Sequence, residues 1–128
     1  MEFRDQKRRL AVIFAGVAAL VGLVVLSFLD LQIKQRLHTR GRFHSLGHFC
    51  VFAFVEILLA MGVRARSTRL IGASALAILG CVIEIAQYII YGQPLETLDM
   101  QVDALGVIVG LLLVLAWDRR RNTSYRSA

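Results

Sequence analysis

Four apolar runs divide the chain: Leu10 to Leu29, Leu46 to Val63, Leu70 to Tyr91 and Leu98 to Trp117. Each comes close to the roughly 20 residues with which an α-helix, rising about 1.5 Å per residue, crosses about 30 Å of hydrocarbon. Polar residues fill the gaps between the runs, and a few stand inside them. The pattern predicts an all-α polytopic membrane protein, a compact bundle of four transmembrane helices forming one domain over residues 1–128. Four crossings leave almost no sequence for a soluble domain.

Composition points the same way, because 57% of the residues are hydrophobic, above the share usual in soluble domains. The first run follows Arg4, Lys7, Arg8 and Arg9, so a secretory signal peptide has to be weighed. Its apolar core exceeds the ~7 to 15 residues of a signal segment, and no small-x-small cleavage site precedes Asp30 and Lys34. A retained helix is the expectation. Gly16, Ala19 and Gly22 recur along it near helical spacing, a face that suits close helix packing, including a homo-oligomer through this helix, or simple contact with lipid.

Charge sets the expected orientation. Arg4, Lys7, Arg8 and Arg9 precede the first helix, Arg64, Arg66 and Arg69 join the second to the third, and Arg119, Arg120, Arg121 and Arg126 follow the fourth. Only Lys34, Arg36, Arg40 and Arg42 fall on the other side, in a basic loop that pulls against the assignment. The positive-inside rule then gives an N-in, C-in topology. Anionic membrane lipids are the expected partner of a net charge of +6, and no nucleic acid is, because the basic residues collect at helix ends. The segment Asp30 to Phe43 is expected to lie at the outer interface as a short amphipathic piece broken near Gly41, and Trp117 to mark the inner one.

Chemistry enters with the polar residues inside the apolar runs. In the second run His44 and His48 are four residues apart and share a helical face with Phe52 and Glu56. Such a pair can chelate a metal, yet the HExxH pattern is absent, and no metal or cofactor is expected. Cys50 and Cys81 lack CxxC spacing and read as packing residues. Before the third run Ser67 or Thr68 is placed to cap the helix. Gly72, Ala73, Ala77 and Gly80 then make a narrow track that Glu84, Gln87 and Tyr88 continue. A tight turn at the one proline, Pro94, leads to Asp99, Asp103, Gly106 and Gly110, which fall on one face of the fourth helix.

Under this topology three helices bring His48, Glu84, Gln87, Asp99 and Asp103 to the same outer leaflet. These five form the candidate polar pocket, with Gly80, Gly106 and Gly110 as packing positions. Ionisable groups inside a membrane are costly and mark function more often than chance.

The arrangement resembles the VanZ-like membrane proteins, a family named for an accessory protein of low-level teicoplanin resistance in bacteria. The matching residues are an HF pair opening a membrane helix (His48, Phe49), an E-x-x-Q in the next (Glu84, Gln87), and the family's D-x-x-x-N-x-x-G-x-x-x-G stripe, here Asp99, Asp103, Gly106 and Gly110. The resemblance covers roughly Phe43 to Leu115. It implies a bacterial cytoplasmic membrane protein acting on or binding a lipid-linked or cell-envelope ligand, with a link to glycopeptide resistance. The sequence departs from the family pattern at Gln93, where an arginine is usual, at Asp103, where an asparagine is usual, and at His44 and Ser45, which replace an Asp-Lys pair.

Three functions compete at this stage. The polar residues form a ligand pocket; or they form an intramembrane enzyme in which His48 is a general base or holds a metal, since no GxSxG nucleophile is present; or they only hold the helices together. Interhelical hydrogen bonds in membranes average about 0.6 kcal/mol, which is little return for several buried carboxylates.

Overall fold

The computed structural model describes residues 2–28, 44–92 and 94–124, and all of its regular structure is helical. The four helices are α1 (Glu2–Ser27), α2 (His44–Gly62), α3 (Arg66–Tyr91) and α4 (Thr97–Ser124). Each is long and apolar enough to cross a membrane. The expected amphipathic piece at Asp30 to Phe43, the departure at Gln93 and the distal Arg126 lie outside the described residues, as do the side chains of Arg4 and His44.

Two helices overrun their apolar segments furthest. α1 begins at Glu2 rather than near Leu10, and α4 continues past Trp117 through the arginine cluster to Ser124. Arginine, lysine, glutamate and glutamine are good helix formers, so hydropathy marks the spanning part of a helix but not its ends.

Contacts fix an up-down-up-down order. Ile13 and Gly16 of α1 meet Gly62 and Leu59 of α2, so these two are antiparallel. Phe49 and Ala53 of α2 meet Gly106 and Gly110 of α4 in ascending order, so that pair is parallel. Gly80 of α3 lies against both Phe52 and Asp103. α2 is therefore the central element, packed on all three others, with its most intimate contact along α4. That seam depends on glycine: a Cβ at Gly106 would stand 2.6 Å from the carbonyl oxygen of Phe49, and one at Gly110 2.6 Å from that of Ala53. Of the other small residues, Gly16 and Gly80 are covered, whereas a Cβ at Gly22 or Gly72 would meet nothing within 4 Å. Phe52, Val55, Leu76, Val107, Leu111 and Val114 form the apolar centre.

The turns differ in part from expectation. Ser67 and Thr68 do not cap α3, because the helix already starts at Arg66, with Ala65 at the capping position and no side-chain bond there. The turn is held instead by Arg69, one turn inside the helix. Its Nε donates to the carbonyl of Val63 at 2.8 Å while its Nη1 pairs with Asp118 of α4, tying the α2–α3 turn to the end of α4. At the other end α3 stops at Gly92, whose φ of 60° is left-handed and whose N–H bonds the carbonyl of Tyr88. Glycine adopts that conformation without a Cβ penalty, and Pro94 two residues on prevents the helix from resuming. The helix order places the ends of α1 and α4 that carry Lys7 to Arg9 and Arg119 to Arg121, together with the α2–α3 turn, at one end of the bundle. His48, Asp99 and Asp103 gather at the other.

Candidate functional site

At the end opposite the arginines, α2, α3 and α4 converge with polar side chains turned inward. Asp99 and Asp103, four residues apart on the first turns of α4, are each 2% exposed. Residues at that spacing share a helical face, and this one faces α2. Asp103 Oδ1 lies 3.0 Å from His48 Nδ1, a hydrogen bond that becomes an ion pair when the imidazole is protonated. The other oxygen, Oδ2, occupies the room left at Gly80, 3.1 Å from where a Cβ would stand. One turn earlier on both helices, Ser45 Oγ donates to Asp99 Oδ1 at 2.8 Å. The two bonds run as parallel rungs between α2 and α4, directly above the glycine seam.

Glu84 completes the cluster from α3. It is buried and within electrostatic reach of His48, Asp99 and Asp103. His48 is more open than the three carboxyl groups, with its side chain 18% exposed. The cluster therefore holds three carboxyl groups, one imidazole and one hydroxyl at the end of an apolar bundle, with the imidazole toward the surface.

Four of the five expected pocket residues come together: His48, Glu84, Asp99 and Asp103. Gln87 is buried as expected, but its Nε2 donates to the carbonyl of Ser27 at 2.7 Å. One turn on, Tyr91 Oη donates to the carbonyl of Phe28 at 3.0 Å. The last carbonyls of a helix have no partners within it, so both side chains fasten the end of α1 to α3. Replacing Gln87 by leucine is expected to cost about 0.6 to 1.7 kcal/mol and to loosen α1 alone. A thermal melt paired with labelling of a cysteine placed at Ser27 checks this, and unchanged labelling would rule it out.

Two polar residues were missed or undervalued. Ser45 stands three residues before His48, and the helical stripe of His48 would have found it. Glu56 continues that stripe deeper into the bundle and is 1% exposed. Among the described residues no group of three or more His, Cys, Asp and Glu side chains is placed to hold a metal ion.

Compared with models of known families, with curated proteins and with solved structures, the chain matches none, and the VanZ-like resemblance rests on the residues quoted for it.

Proposed function

We propose that the chain is a VanZ-like protein of the bacterial cytoplasmic membrane, N-in and C-in, that binds the polar head of a lipid-linked or other cell-envelope ligand at its outer leaflet. The observation that carries this is the cluster of His48, Asp103, Ser45, Asp99 and Glu84 at one end of an otherwise apolar bundle. Buried carboxylates are too costly to serve as mere fasteners when each interhelical bond returns about 0.6 kcal/mol. Orientation follows from the arginines at the opposite end, which favour the cytoplasmic face and its anionic lipids.

The chemistry of the cluster narrows the ligand. Carboxyl groups accept hydrogen bonds and attract cations, so a head bearing hydroxyl or amino groups fits them better than a bare phosphate. His48, at the surface of the cluster, meets it first. Self-association through α1, where it occurs, uses the side away from Gly16, because Gly16 is covered by Leu58 and Leu59.

A second reading draws on the His48–Asp103 bond. An aspartate on Nδ1 fixes the tautomer and orientation of an imidazole and leaves Nε2 as its basic atom, which is how a general base is built. Base-assisted chemistry on the same ligand would use the same residues.

The test places a photoreactive amino acid at the exposed Leu98, beside Asp99, and identifies the adducts formed in cells by mass spectrometry. The wild-type chain is expected to capture an envelope lipid or lipid-linked saccharide. H48A, E84A and D99A variants that keep the wild-type melt should lose that adduct and change glycopeptide susceptibility. If all three retain the adduct and the susceptibility, the ligand reading is wrong.

A further inference from the structure

Glu56 is the buried carboxyl that the outer cluster does not use. It is the twelfth residue of a span that runs Ser45–Gly62, and it is 1% exposed. Its Oε2 is buried with no hydrogen-bond partner. One turn away on either side along α2 stand Phe52, Ala53, Leu59 and Ala60, all apolar. α4 closes over it as well, for a Cβ at Gly110 would come within 3.0 Å of Glu56 Cβ.

The inward-facing titratable groups of the packed elements lie elsewhere. His48 is eight residues back on α2, about 12 Å by helical rise, with Phe52 between. Glu84 of α3 and Asp99 and Asp103 of α4 belong to the outer cluster, and Arg69 of α3 is paired with Asp118 of α4 near the opposite end. Between Leu10 and Phe28, α1 supplies none. None of these gives Glu56 Oε2 a hydrogen bond.

A carboxylate ion buried without a partner costs several kcal/mol, whereas a neutral acid with one unmatched oxygen costs about 1–3 kcal/mol. Of the ligands that a carboxylate takes, the proton is the one that fits where a helix already presses on the side chain. We propose that Glu56 is an intramembrane proton-binding site and that its bound proton keeps the α2–α4 seam closed. On release, the O–H bond breaks, its electron pair stays on the carboxylate, and the proton passes to water.

Water has to reach that carboxylate, and it does so by lifting Gly110 from Ala53. The same seam carries Gly106 on Phe49 and, one turn above, Asp103 on His48. Deprotonation at Glu56 therefore loosens the outer cluster through contiguous packing between two rigid helices. By linkage, anything that tightens the cluster favours the proton on Glu56.

The experiment uses the full chain in lipid vesicles and a hydrophobic carbodiimide. That reagent adds a protonated carboxyl across its C=N bond and rearranges to a stable N-acylurea, with no group leaving. Glu56 is expected to carry the label at low pH, the yield falling about tenfold per pH unit above the midpoint, and E56Q to carry none there. The His48 imidazole signals, followed by NMR, should shift through the same pH interval in the wild type and lose that shift in E56Q. No label on Glu56 at any pH, a label indifferent to pH, or the same His48 titration in both proteins would overturn the proposal. Labelling of the unsubstituted chain decides the first two outcomes even if E56Q fails to fold.

Discussion

Replacing Gly106 and Gly110 together by alanine is expected to dismantle the bundle. Each new methyl would sit 2.6 Å from a backbone carbonyl oxygen of α2, at Phe49 and at Ala53. A side chain could rotate away, but a carbonyl held in a helix moves only with the helix. Overpacking of this kind costs about 1–3 kcal/mol at each site, and here both sites strain the seam that joins the central helix to α4. Denaturant or thermal unfolding in micelles measures the loss. Gly47 and Gly72 supply the controls, because a Cβ at either meets nothing within 4 Å and alanine there improves helix propensity. Should the double variant unfold with the controls, the α2–α4 contact is not what holds the structure.

The second large effect concerns Asp103. Its truncation in D103A removes the acceptor from His48 and opens a gap against Gly80 at a position 2% exposed. Hydrogen bonds to charged groups are worth about 1.5–3 kcal/mol, and a loss in that range is expected. D103N keeps an oxygen acceptor in place and should recover at least half of it while removing the charge. Asparagine is also what the VanZ-like pattern carries there, so D103N asks whether the extra carboxylate does anything that an amide cannot. A double-mutant cycle with H48A isolates the pair. Additive losses would mean that the two residues do not act together.

How far these features were legible in the sequence depends on the helix concerned. Helix existence was plain, since long apolar runs separated by charge leave few alternatives. The stripe Asp99, Asp103, Gly106 and Gly110 was also legible, because helical spacing alone puts four such residues on one face. What spacing does not give is the neighbour. The stripe faces α2, and the polar stretch from α3 into α4 coheres only around that helix. Gln87 shows the same limit from the other side. Its burial was readable, but its partner is a backbone carbonyl sixty residues earlier, at the end of α1, which no side-chain pattern marks. Ser45 drew notice only as a departure from a family pattern. Its role depends on register between α2 and α4, which the glycines set.

The position of α1 carries a consequence for how the protein is made. Its apolar surface is mostly exposed, including Phe14, Val17, Val21 and Val25. Its fixed points come from residues translated later: Leu59 and Gly62 on α2, then Gln87 and Tyr91 on α3. α1 is thus made before the helices that hold it, and the bonds at its end form only once residues sixty or more positions further along have been synthesised. Until then it rests on α2 through Gly16 and Gly62 with its end unfastened, and the two bonds from α3 complete its placement.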